Sequence, residues 1–122
     1  MLGLTDDRLL EALRGMFGPA LTGELGDYAV ACMRHSIRQG VVGWRDDTLA
    51  QVRPWGFNLD QIRVQVSIWH GAEDGNVGTE HAVWLSEHIP GARLRIAEGE
   101  GHVSLILRID KVLDDLLQRA EL

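Results

Sequence analysis

The chain has 122 residues, 45% hydrophobic and 25% charged, one soluble domain's worth of sequence and enough to bury a core. A net charge of -6 argues against nucleic acid as a partner, because a phosphate-binding surface needs a basic excess. No apolar run approaches the roughly 20 residues of a membrane helix, no charged-then-apolar signal opens the chain, and the single cysteine, Cys32, cannot form an internal disulfide, so the expected location is cytoplasmic and off the membrane.

The N-terminal part reads as helices. Thr5 can cap a segment in which Leu9, Leu10, Leu13, Met16 and Phe17 recur at helical spacing, with Asp6 and Asp7 in its first turn and Gly18-Pro19 ending it. A second helix is expected over residues 23–39, with Leu25, Tyr28, Ala29, Cys32, Met33 and Ile37 as its packing stripe and Gly40 as its stop. Asp46 or Asp47 could then cap a short helix over residues 48–52, which ends before Pro54 because the residue ahead of a proline is pushed out of helical geometry. Trp55-Gly56-Phe57 reads as a connection carrying apolar anchors. No lysine or arginine cluster is interleaved with them, so they are packing residues and not a base-stacking platform.

The informative stretch follows. Residues 64–70 read as a strand in which Val64, Val66 and Ile68 alternate with Gln65, Ser67 and Trp69, and the two polar residues depart from the unbroken apolar run of a fully buried parallel strand. Gly71 breaks it and Asp74 follows. A helix is expected over residues 79–89, with Thr79 as its cap and Pro90-Gly91 as its stop, then a second strand over residues 93–97, then Gly99-Glu100-Gly101-His102. Strand, helix, strand with a crossover of about a dozen or more residues gives two parallel neighbours. Asp74 and His102 each lie just past the carboxyl end of a strand, so they should emerge at the same edge of the sheet, across strands roughly 4.8 Å apart. A last helix over residues 104–120 carries Leu105, Ile109, Val112, Leu113, Leu116 and Leu117 on one stripe, expected to cover the sheet.

Competing chemistries fit less well. His70, Asp74, His81 and His102 have no metal-ligand spacing, and the glycines around Glu100 lack the lysine and following helix start of a phosphate loop. His35 and His88 fall on expected helices, where surface or packing roles are the default. No metal and no cofactor are therefore expected.

His70-Gly71-Ala72-Glu73-Asp74-Gly75-Asn76-Val77, followed by Glu80-His81-Ala82, Ile89-Pro90-Gly91-Ala92-Arg93 and Gly99-Glu100-Gly101-His102, closely resembles the C-terminal part of the α/β-hydrolases. In that family a Gly-x-x-Asp loop carries the acid of the catalytic triad and a Gly-His loop carries the histidine. By this resemblance Asp74 is the orienting acid, in preference to Glu73, and His102 the general base. Gly43-Trp44-Arg45-Asp46-Asp47 and Trp55-Gly56-Phe57-Asn58-Leu59 resemble the end of a cap segment. The implied architecture is α/β: a helical cap-like segment over residues 1–57, some of whose apolar side chains line a pocket, then a β-α-β-α unit over residues 58–122 with two parallel strands. The family's nucleophile sits on a Gly-x-Ser-x-Gly elbow ahead of these motifs. None of Ser36, Ser67, Ser86 and Ser104 has glycines at those offsets, and Cys32 reads as helix interior.

Two readings follow. In one, the chain is the C-terminal portion of a serine-type hydrolase for an ester or related acyl substrate; it supplies acid and histidine and is inactive without a nucleophile from elsewhere. In the other, it is a non-catalytic module. The resemblance implies that the acid-bearing strand lacks its neighbour on one side, so residues 64–69 would add a strand from a second copy, most simply as a two-fold dimer.

Overall fold

A computed structural model describes residues 3–120. They form five α-helices and two strands, and the chain divides into two compact units, Met1–Gly56 and Phe57–Leu122.

The first unit contains α1 (Asp6–Phe17), α2 (Gly23–Ser36) and α3 (Val42–Gln51). α1 packs on α2, and Leu9, Leu13, Leu21, Val30 and Ile37 are buried. Gly26 lets the two come close: a Cβ there would stand 3.1 Å from Leu10 Cδ1 and 3.2 Å from the Leu21 carbonyl oxygen. The inward stripe of α2 therefore runs through Gly26 and Val30 and on to Ile37 at its C-cap, while Tyr28 and Cys32 face solvent. The expected stripe was rotated because a glycine adds nothing to an apolar periodicity even where it marks the closest contact. Thr5 occupies the N-cap position of α1 without a side-chain capping bond. Instead Arg34 ties α2 back, donating from Nε to Asp6 Oδ1 at 2.7 Å and from Nη2 to the Leu4 carbonyl at 2.7 Å.

The helix expected over residues 48–52 is longer and starts earlier. α3 begins at Val42, so Asp46 and Asp47 lie inside it and cap nothing. Its start at Val42-Gly43-Trp44 has no polar capping side chain and holds a glycine, which hides it from sequence rules. None of its residues is buried.

In the second unit β1 (Ser67–Gly71) and β2 (Arg93–Ala97) are parallel neighbours, with Ser67 opposite Arg93 and Gly71 opposite Ala97. α4 (Thr79–His88) is the crossover between them, packs on both strands and buries Ala82, with Ile89 just past its end. Its N-cap is Gly78 and not Thr79. The architecture is thus α/β. The first strand is shorter than expected, since regular pairing begins at Ser67 and residues 64–66 lead into it with only the Val66 carbonyl bonded across, to Arg93 N–H.

The last helix departs most from expectation. Residues 104–108 form a 3₁₀ helix (Ser104–Arg108), and α5 (Ile109–Arg119) starts only afterwards. Its buried residue is Asp115, while Ile109, Leu113, Leu116 and Leu117 are each about half exposed. The sheet explains this orientation. Alternate positions of a strand share a face, and Gln65, Ser67, Arg93 and Arg95 present a polar surface to α5. Ser67 Oγ–H donates to Asp115 Oδ2 at 2.6 Å, Arg95 Nη2 to Asp115 Oδ1 at 3.0 Å, and Arg119 Nε to Gln65 Oε1 at 3.1 Å. Burying a carboxylate requires such partners, and once they are made the leucine stripe must turn sideways.

Candidate functional site

Asp74 and His102 come together at the carboxyl edge of the sheet. His102 Nδ1–H donates to Asp74 Oδ2 at 2.9 Å, with Oδ1 at 3.1 Å. The acid is the shielded member, with a 7% exposed side chain against 34% for the histidine. The carboxylate is thus shielded from solvent while the imidazole can be reached from it.

The two loops are laced by backbone bonds. Ala72 N–H donates to Ala97 O at 2.9 Å and Glu73 N–H to Glu100 O at 2.9 Å, extending the β1–β2 ladder past its regular end. Gly71 makes this approach possible, since a Cβ there would fall 2.3 Å from the Glu100 carbonyl oxygen. Gly99 supplies the turn after β2 with φ +74°, where a side chain is strained. Gly75 and Gly101 carry no such demand: neither has φ in the left-handed range, and a Cβ would meet nothing within 4 Å at Gly75 and only Glu73 O, at 3.5 Å, at Gly101.

Asp74 is aimed by its own turn. Its Oδ1 accepts Asn76 N–H and Val77 N–H, each at 2.9 Å, which leaves Oδ2 facing the His102 ring. Burial pushes the Asp74 carboxyl upward, but the Val77 amide, the His102 ring and the Asn76 amide outweigh it and hold the pKa below the usual aspartate value. The carboxylate is therefore charged at neutral pH. A neutral His102 that donates from Nδ1 is fixed in the tautomer whose Nε2 is the basic nitrogen.

The histidine loop has a second support, outside the Gly-His motif. Glu100 is buried at 8% exposure; Arg108 Nε donates to its Oε1 at 2.6 Å. The Ser104 hydroxyl and then the Arg108 guanidinium hold its carboxyl below the usual glutamate value. Ser104 Oγ also accepts Gly101 N–H at 2.7 Å. The 3₁₀ helix at Ser104–Arg108 thus anchors the residues flanking His102, and the glutamate between two glycines was the available signal.

Other predicted residues stand apart from the pair. Ser67 is committed to Asp115 and Ser86 to the Val83 carbonyl in α4, while Ser36 bonds the Met33 carbonyl in the first unit. His88 stacks on Trp84 with ring centroids 3.9 Å apart. Among the described residues no group of three or more His, Cys, Asp or Glu could hold a metal ion, and no helix is long and apolar enough to cross a membrane. No family model matches the chain, and no curated protein matches it.

Proposed function

We propose that Asp74 and His102 are the orienting acid and general base of a serine-type hydrolase of the α/β-hydrolase kind, acting on an ester or related acyl substrate. The hydroxyl nucleophile comes from outside these 122 residues. The single observation that carries this reading is the 2.9 Å contact between Asp74 Oδ2 and His102 Nδ1, with the carboxylate shielded and the ring accessible. The motif order quoted above, with the acid loop after β1 and the histidine loop after β2, supports it further.

His102 Nε2 takes the proton of the attacking hydroxyl as its oxygen bonds to the acyl carbon, then returns it to the leaving group as the carbon–oxygen bond of the ester breaks. Asp74 holds the ring through Nδ1 and stabilises the imidazolium formed between those steps, without itself taking the proton. The helical first unit is the cap-like segment of this reading.

The test has two arms. The reading frame upstream of Met1 should encode a glycine-flanked serine. The chain joined to that segment should hydrolyse p-nitrophenyl esters, and the 122-residue chain alone should stay at the buffer rate. In the joined protein Asp74→Asn should lower kcat by about 10⁴-fold, the loss that follows when a triad acid no longer fixes the tautomer. Turnover by the chain alone that His102→Ala abolishes would place a nucleophile within it and overturn the assignment.

A second reading, self-association through β1, draws on a different observation. The N–H and C=O of one strand residue point to the same side. Val66 and Ala72 bond across to β2 and its continuation, so Ser67 and Trp69 turn theirs to the opposite edge. Among the described residues β1 pairs with β2 alone. Such an edge is a template for a second copy.

A further inference from the structure

We propose that His70 is a positioning residue for the Asp74–His102 pair, acting through the carbonyl of Val77. This rests on the hydrolase reading above and adds a residue that the acid and histidine motifs do not include.

His70 is the penultimate residue of β1, and its side chain is 12% exposed. Its Nε2 lies 2.9 Å from the Val77 carbonyl oxygen and 3.7 Å from Asp74 Oδ2. A carbonyl can only accept, so Nε2 carries the hydrogen and donates it. The backbone of Val77 is then held on both sides of its Cα: its carbonyl by the His70 ring, its N–H by Asp74 Oδ1 at 2.9 Å. Val77 is exposed, and its side chain does not pin the turn. The imidazole of His70, rooted in the sheet, does so. It fixes residues 74–77 to β1, keeps the Asn76 and Val77 amides on Oδ1, and thereby leaves Oδ2 pointed at His102 Nδ1.

At 3.7 Å the His70–Asp74 approach is too long for a hydrogen bond. His70 thus does not compete with His102 for the carboxylate. Its contribution is geometric, and a side chain that only donates a hydrogen at the Nε2 position reproduces it. Glutamine places an amide N–H at about the reach of imidazole Nε2; asparagine is one methylene too short.

The experiment compares ring-nitrogen NMR spectra of the 122-residue chain at a pH where His102 is neutral, in the native protein and in His70→Phe, His70→Gln and Asp74→Asn, with the backbone amide spectrum reporting the fold. The Nδ1–H tautomer of His102 is expected in the native protein and in His70→Gln, and is expected to be lost in His70→Phe while β1 and β2 amides keep their shifts. If His70→Phe unfolds, His70→Asn replaces it, with the same loss expected. A His102 ring that keeps its Nδ1–H tautomer in the folded Phe or Asn variant overturns the role given to His70, and so does its loss in His70→Gln. Failure of the underlying reading has a separate signature: an Asp74→Asn ring indistinguishable from the native one.

Discussion

Gly71 and Gly75 flank the acid loop and look alike in the sequence, yet only one of them is constrained. At Gly71 an added methyl would meet Glu100 O at 2.3 Å and Glu100 C at 2.7 Å, both backbone atoms of the histidine loop that cannot swing aside. Gly71→Ala should therefore cost about 1–3 kcal/mol in urea unfolding, the usual range for overpacking a fixed site. Gly75→Ala, with nothing within 4 Å, should change stability by less than about 0.5 kcal/mol. Equal effects would mean that the two loops do not lie backbone to backbone. At this scale the meeting of Asp74 and His102 was legible because each residue follows a strand in a short glycine motif: a Gly-x-x-Asp after one strand and a Gly-His after the next. The supports were not, because they run through main-chain groups. The Val77 carbonyl, the Asn76 and Val77 amides and the Glu100 carbonyl are invisible to any motif.

The orientation of α5 turns on a carboxylate. Ser67 Oγ–H, then the Arg95 guanidinium, with Arg93 beyond it, lower the Asp115 carboxyl to about 2. A carboxyl depressed in the folded chain stabilises it at pH above the unfolded value near ~3.9 and loses that contribution as pH falls through the folded value. Acid unfolding followed by circular dichroism should therefore steepen between about pH 4 and about 2, and Asp115→Asn should flatten part of that dependence. Asp74 and Glu100, also depressed, supply the remainder. An unchanged slope in the variant would contradict the docking described for α5. The element itself was legible from its apolar stripe, but its facing was not, because periodicity reports that a helix has two faces and not which one a sheet will accept. The corrective signal was present in the strands: Gln65, Ser67, Arg93 and Arg95 all fall on alternate positions of one sheet face. α3 failed differently, since a helix that starts at Val42-Gly43 without a capping side chain carries no start signal at all.

For the molecule as a whole, the second unit buries little. Its buried apolar residues are Ala82 and Ile89, among those described, whereas Ile106, Leu107, Ile109, Leu113, Leu116 and Leu117 are exposed by half or nearly so. The Trp69 indole N–H is buried without a hydrogen-bond partner among the described residues. A two-stranded sheet needs helices packed on it to be stable; α4 and α5 do so here, while the far edge of β1 has no neighbouring strand among the described residues and the α5 stripe is half exposed. On the second reading a second copy occupies that edge, so sedimentation at micromolar concentration should show a dimer, and monomer throughout would set that reading aside. The α/β order and the convergence of two distant loops were legible from strand–helix–strand spacing; the shortage of core was not, because counting apolar residues does not say which of them find a neighbour.

The claim on which the rest depends is that Asp74 orients His102. Ring-nitrogen NMR of His102 in the native chain and in Asp74→Asn tests it most directly. At a pH where the ring is neutral, the account predicts the Nδ1–H tautomer in the native chain and its release in the variant; the same tautomer mixture in both would contradict it.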